Sequence, residues 1–264
     1  MSEIEKLEKG FLDTLSALDE SLDKIIIVGG WCPYLYTNYL WQRRIPNIPT
    51  TTDIDLGVME TGAKRFDLTV YDKLKKAGFQ VERLYEREEE PIEFVYKKKE
   101  LELKVEFITS FETSDDTLNR FLGSKLACNR IEAFEVLLED PIQISIKHLG
   151  KNMSVSIPKP ETFLFHKGIS FVMRSDDFKR DKDLFYVYFV LKFAPDQKTL
   201  LESIARFKKH EYFKSFKQNL RHYLSEVSKP GYLMLWPFLK GLIDDKKIND
   251  EIRETFALLF QIIK

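Results

Sequence analysis

IIIVGGW, residues 25–31, followed after a gap by TTDIDL, residues 51–56, is the part of the chain whose reading decides the fold. Ile25 to Val28 are β-branched and apolar, which is the pattern of a buried strand, and Gly29 with Gly30 ends that strand in a tight turn. The segment from Trp31 to Leu40 reads as a helix. Pro33 is tolerated near its start because a first-turn N–H has no partner inside the helix. RRIPNIPTTT (43–52), with its prolines and threonines, reads as a loop that delivers the chain into a second strand, DIDLGVM (53–59). Successive side chains of a strand point to opposite faces, so Asp53 and Asp55 project together while Ile54 and Leu56 project the other way.

Two carboxylates held that close disfavour one another unless a proton or cation neutralises them, and hard divalent cations such as magnesium prefer carboxylate oxygens. Glu106, in LKVEF (103–107) between the apolar Val105 and Phe107, is a third candidate from a neighbouring strand, and Glu102 shares its parity. Two metals on three carboxylates can align an attacking hydroxyl with an α-phosphate and stabilise the departing pyrophosphate. The Gly29–Gly30 pair lets backbone approach a phosphate closely, as a triphosphate cradle would need. Each feature has a plainer reading: an isolated D-x-D is more often a pair of solvated acids, Glu106 suits an exposed edge strand equally well, and a strand often ends in glycine merely to turn.

Outward from this centre, Ile4, Leu7, Phe11, Leu12, Leu15 and Leu18 recur at helical spacing and predict an amphipathic N-terminal helix. Phe66 to Ala77 reads as a helix closed by Gly78. FQVERLY (79–85), PIEFVYK (91–97) and LELKVEFIT (101–109) read as strands, the last two joined by the turn YKKKEL (96–101), and IQISIKHLGKNMSVSIP (142–158) as a hairpin. From Pro160 and Glu161, which suit the first turn of a helix, helical periodicity takes over. The helix candidates are DKDLFYVYFVLKF (181–193), TLLESIARFKKH (199–210), FKSFKQNLRHYLSEV (213–227) and INDEIRETFALLFQIIK (248–264), with KPGYLMLWP (229–237) as a loop-rich break. The expectation is an α+β fold: a mixed sheet with flanking helices over residues 1–158, then a helical domain over 159–264.

The chain has 264 residues, 44% of them hydrophobic, enough for a packed core in one large or two modest domains. Forty-one lysines and arginines against 42 acids leave no net charge that demands a polyanionic partner. Between Lys192 and His222, however, eight basic residues meet three acids and are interleaved with Phe207, Tyr212, Phe213 and Phe216. That pattern is either an RNA-binding face with stacking rings or a helix with a buried aromatic stripe and a solvated basic side. Cys32 and Cys128 match no zinc or redox spacing and predict reduced thiols in a cytoplasmic protein, and no signal sequence or apolar run of membrane length is evident.

IIIVGGW, a helix-length gap, TTDIDL and the acidic strand LKVEF together resemble the polymerase-β-type nucleotidyltransferase superfamily, in which a glycine pair precedes paired metal-binding acids and a third acid follows. IPKPETFLFHKGIS (157–170) and KRDKDLFYVYFVL (179–191) resemble its abortive-infection, AbiEii-type toxin branch, extending the likeness to about residue 195. The resemblance implies a sheet-based catalytic domain and transfer of a nucleoside monophosphate from a nucleoside triphosphate to an acceptor hydroxyl. It implies catalytic Asp53, Asp55, Glu106, Lys167 and Asp183, with Asp53, Asp55 and Glu106 holding two magnesium ions and Gly29, Gly30 and Lys167 contacting the nucleotide. An RNA or tRNA acceptor and an antitoxin partner follow from the toxin branch; a small amino-sugar acceptor and a noncatalytic nucleotide-binding module are the alternatives. The sequence departs from the pattern at Trp31, where a small hydroxyl residue is common, at Glu106, where aspartate is commoner, and at Tyr186, where a second acid is frequent.

Overall fold

Strand β1 (Ile25–Val28) is buried along its whole length, as its unbroken β-branched run requires of a central strand. The computed structural model describes residues 3–43, 45, 48, 51–59, 67–84, 91–98 and 101–264. Around β1 are β2 (Asp53–Val58), β3 (Gln80–Arg83), β4 (Ile92–Lys98), β5 (Leu101–Thr109), β6 (Asn129–Arg130), β7 (Ile142–His148) and β8 (Lys151–Ile157). They form one sheet in the order β3-β4-β5-β2-β1-β8-β7, with β6 beside β5. Its pairing is mixed: β1 runs antiparallel to β2 and parallel to β8, while β2 runs parallel to β5.

Helix α1 (Glu3–Leu18) leaves Ile4 in its first turn exposed but buries Leu7, Phe11, Leu12, Leu15 and Leu18 of the stripe its periodicity predicts. It lies close against the sheet at Gly10, where an added Cβ would come within 2.4 Å of the Leu103 side chain. Leu103, Val105 and Phe107 therefore face α1 and the core, and Lys104 and Glu106 take the other face of β5. The remaining helices are α2 (Cys32–Leu35), α3 (Val70–Lys76), α4 (Asp115–Leu122), α5 (Phe134–Leu137), α6 (Pro160–Ser170), α7 (Asp177–Phe193), α8 (Gln197–Arg206), α9 (Phe213–Leu224), α10 (Pro230–Leu239) and α11 (Ile248–Ile262). The described residues fall into two compact units, one within Met1–Gln42 and Ile48–Pro158, the other within Arg43–Asn47 and Lys159–Lys264.

A polar knot ties α1 to the sheet in the first unit. Asp13 accepts hydrogen bonds from Lys9 Nζ at 3.0 Å and from Tyr96 Oη at 2.7 Å, and lies 2.8 Å from His148 Nε2. Burial opposes ionisation of Asp13, but these partners outweigh it and hold its pKa below the ordinary aspartate value. A depressed carboxylate pKa contributes stability that is present above the unfolded-state value and fades as pH falls through the folded one. Acid titration of unfolding should therefore show wild type losing stability below about pH 4, with Asp13→Asn losing less over the same range. Identical slopes for the two proteins would dismiss the knot as a stabilising feature.

Several expectations change in detail. The helix foreseen over Trp31–Leu40 is broken into a 3-10 turn (Gly29–Trp31), α2 and a π-turn (Tyr36–Leu40). The helix foreseen from Phe66 begins among the described residues at Val70, where Thr69 and Asp72 form a reciprocal capping box; Phe66 itself lies outside the described residues. Tyr85 of the FQVERLY strand, most of the YKKKEL turn's tip and parts of RRIPNIPTTT also lie outside them. KPGYLMLWP is not a loop but most of α10: Pro230 opens the helix where no N–H bond is needed, and its apolar side chains Tyr232, Met234, Leu235 and Leu239 are buried. In the second unit, α7 and α8 start at Asp176 and Asp196, whose carboxylates accept from the backbone N–H three residues on. No helix among the described residues is long and apolar enough to cross a membrane.

Candidate active site

Chain pairing, not proximity in sequence, assembles the acids. In the parallel pair of β2 and β5, Asp53 is opposite Lys104 and Asp55 is opposite Glu106, while Ile54 is opposite Val105. Ile54, Leu56, Val105 and Phe107 are buried, and Asp53, Asp55 and Glu106 are half-buried on the opposite face. Side chains directly opposite one another on adjacent strands stand about 4.5–5.5 Å apart at Cβ. The Asp53 backbone N–H donates to Thr51 Oγ1 at 3.3 Å, and the Lys104 N–H donates to the Thr52 carbonyl at 2.9 Å, fixing the start of β2 against β5.

Antiparallel pairing places Val28, the last residue of β1, opposite Asp55, so the glycine turn rises beside that carboxylate. Gly29 has φ +66°, and a Cβ built on it would sit 1.7 Å from Asp55 Oδ2. Glycine is needed here twice over, for its left-handed backbone and for the space the Asp55 carboxylate occupies. Gly29→Ala should cost about 1–2 kcal/mol for the backbone conformation alone and should also push the Asp55 carboxylate aside. An unchanged melting temperature would contradict this.

Trp31, the departure after the glycines, is core. Its ring stacks on Phe11 at 4.1 Å and meets Tyr34 edge-on at 5.5 Å, and it is 3% exposed. Position 31 therefore has no side-chain hydroxyl to offer a phosphate, and of the glycine turn Gly29 is half-buried while Gly30 is buried. Tyr36, in the π-turn that follows, donates to the Pro158 carbonyl at 2.8 Å and anchors this segment to the end of β8.

Lys167 and Asp183 lie in the helical unit, on α6 and α7, and they pair with each other. Lys167 Nζ is 2.6 Å from Asp183 Oδ1, Arg174 Nε is 2.9 Å from Asp183 Oδ2, and Lys167 and Asp183 are both buried. The ammonium also lies 5.8 Å from the Phe163 ring centre and 5.7 Å from that of Tyr186, so both rings give the lysine an aromatic face. Burial opposes ionisation of Asp183, but the charges of Lys167 and Arg174 outweigh it and hold its pKa below the ordinary value.

Of the aromatic residues of 192–222, Phe207 and Phe216 belong to the core of the same unit, while Phe193, Tyr212 and Phe213 are half-buried. Phe165 stacks on Phe207 at 4.3 Å and packs against Phe216 at 4.9 Å, so neither ring is presented to a nucleobase, while Lys208, Lys209, Lys214 and Arg221 are exposed. Both cysteines are free thiols, and burial pushes Cys128 up to about 12, which keeps it protonated and unreactive at neutral pH.

The structure thus brings Gly29, Gly30, Asp53, Asp55 and Glu106 into one unit, the acids on one sheet face with Gly29 against Asp55. As they stand, no three His, Cys, Asp or Glu side chains among the described residues are gathered closely enough to hold a metal ion. The sequence reading missed Lys104 and Glu93, which share the acid face. Strand parity alone would have put Lys104 beside Glu106; its register with Asp53 depends on long-range pairing.

Comparison with known proteins gives a family. The comparison with curated proteins returns no match. Among solved structures, an antigenic nucleotidyltransferase-like protein from Paracoccidioides brasiliensis is similar at 14% identity and a TM-score of 0.43, over 82% of this chain and 94% of that one. A family model described as nucleotidyltransferase matches residues 9–206, a span that takes in Gly29, Asp53, Asp55, Glu106, Lys167 and Asp183. With three quarters of its length matched, the chain belongs to the nucleotidyltransferase family.

Proposed function

We propose that the protein transfers a nucleoside monophosphate from a nucleoside triphosphate to an acceptor hydroxyl in a magnesium-dependent reaction, with an RNA or tRNA end as acceptor and a toxin-like role restrained by an antitoxin. The observation that carries the reading is the array of Asp55 in register with Glu106, with Asp53 one strand repeat away and Gly29 leaving room for the Asp55 carboxylate. The donor set fits a hard divalent cation: three carboxylates from adjacent strands share a face, and small side-chain rotations about χ1 and χ2 redirect their oxygens. Asp53, Asp55 and Glu106 would hold the metal, and the chemistry supplied there is neutralisation of charge on the transferring and departing phosphates.

The chain's own residues do the positioning. The Gly29–Gly30 turn admits phosphate oxygens close to the backbone beside Asp55, a contact that any side chain at position 29 would block. Asp53 is held to the strand start through Thr51, so both aspartates are presented by rigid sheet and not by a loop. Lys167 serves by holding α6 to α7 through Asp183; to reach a phosphate it would have to leave a buried partner and two aromatic faces. The exposed Lys208, Lys209, Lys214 and Arg221 support an RNA acceptor through phosphate contacts, with Phe207 and Phe216 buried away from any base.

The test is transfer of label from each of the four α-labelled nucleoside triphosphates to total RNA with magnesium, for wild type and an Asp53→Ala, Asp55→Ala double variant. Labelled RNA that disappears with the acids is the expected result. Pyrophosphate release without RNA labelling would overturn the RNA acceptor in favour of a small molecule such as an amino sugar, and absence of both would overturn the reaction.

A further inference from the structure

Among the described residues the acid face carries Lys97, which is bound to Glu82 and Glu102, and Lys104, whose position the metal-binding reading leaves unexplained. Lys104 lies in register with Asp53 on one side, and on the other its Nζ is 3.8 Å from Glu93 Oε2 on β4. Glu93 is on this face as well, because Phe94 pairs with the core-facing Val105, which turns residue 93 the other way. Its carboxylate side chain is 12% exposed, whereas that of Lys104 is 43% exposed, so the lysine is the solvent-reachable member of the pair. Glu82, opposite Glu93 on β3, is matched by Lys97 at 2.9 Å. Lys104 thus contacts Glu93 diagonally across β4 while lying opposite Asp53 and two residues before Glu106 on β5.

We propose that Lys104 is a nucleotide-binding residue: its ammonium takes phosphate oxygens of the bound triphosphate and, when no nucleotide is present, competes with divalent cations for the acid face. The inference rests on the reading of that face as a nucleotide site. A lysine ammonium is a compact point charge on a flexible stem, suited to leaving a 3.8 Å contact with Glu93 for a more highly charged phosphate. Next to three carboxylates the same charge lowers the local negative potential, which weakens cation binding until the triphosphate draws the lysine away. A merely structural lysine would not produce these two effects in opposite directions.

The experiment measures two equilibria without turnover: Mn2+ binding to the nucleotide-free protein by electron paramagnetic resonance, and binding of each α,β-methylene nucleoside triphosphate with magnesium by calorimetry. Lys104→Met should bind Mn2+ about threefold to tenfold more tightly, the scale of one partly solvated unit charge a few ångströms away. It should bind the nucleotide that wild type prefers about tenfold more weakly, and Lys104→Arg should restore nucleotide binding to within about threefold, since guanidinium also pairs with phosphate. Glu93→Gln gives an independent reading if Lys104→Met does not fold: freed from Glu93, the lysine should weaken Mn2+ binding while nucleotide binding holds or tightens. Both affinities unchanged in Lys104→Met, or both falling together, would overturn the proposal. Wild type binding neither Mn2+ nor any of the analogues would overturn the nucleotide site itself, and this inference with it.

Discussion

Asp55→Asn should lower kcat/KM for nucleotidyl transfer about a thousandfold, roughly 4 kcal/mol of lost transition-state stabilisation, the scale of the several kcal/mol that metal-assisted charge neutralisation provides. Its melting temperature should stay within a few degrees of wild type. The amide keeps the size of the carboxylate and fits beside Gly29, so packing around the glycine turn is preserved while a hard anionic donor is removed. Asp55→Glu should fare no better, because the longer side chain must find room where the carboxylate already fills the space a Gly29 Cβ would take. Glu102→Gln is the contrasting case: it shares the parity of Glu106 but is exposed and already contacts Lys97 at 3.3 Å, and transfer should be unaffected. Full activity in Asp55→Asn would remove the metal role from β2.

The sequence and the structure part company at identifiable points. Strand periodicity in DIDL and LKVEF fixes which residues share a face, because a period of two is a local property, and the burial of Ile54, Leu56, Val105 and Phe107 follows it. The pairing of Asp55 with Glu106 is not local: some fifty residues intervene, and a one-residue slip of β5 would turn Glu106 into the core. The glycine pair is legible as a turn; that Gly29 is required by the Asp55 carboxylate is a contact between strands and becomes visible only once β1 and β2 are paired. Trp31 reads as a departure from a nucleotide-binding pattern, yet its stacking on Phe11 of α1 makes it a packing residue. KPGYLMLWP misleads because proline and glycine usually punctuate chains, while here Pro230 occupies the first helical turn and Gly231 packs closely enough that a Cβ would lie 2.5 Å from the Tyr223 carbonyl oxygen. The basic stretch of 192–222 is ambiguous in sequence since aromatic stripes and basic faces coexist on any amphipathic helix, and contacts with Phe165 place Phe207 and Phe216 in the core while Tyr212 and Phe213 stay half-buried.

Lys167→Met should destabilise the helical unit by about 3–5 kcal/mol, because removing one member of a buried ion pair strands the other without compensation. Among the described residues Asp183 would keep Arg174, whose side chain is 47% exposed, and would lose the partner 2.6 Å away that faces it from α6. Denaturant unfolding followed by hydrogen exchange should show the loss in α6 and α7, with the sheet unit retaining its protection. Replacing both partners, as in Lys167→Met with Asp183→Leu, should recover most of that stability, since an apolar pair of similar volume avoids the desolvation that the ions carry. The double variant also separates packing from chemistry. If stability and nucleotidyl transfer recover together, the lysine acts by holding α6 to α7; if stability recovers while transfer stays low, the charge of Lys167 is itself required, and its contact with Asp183 is a resting position that the reaction must break.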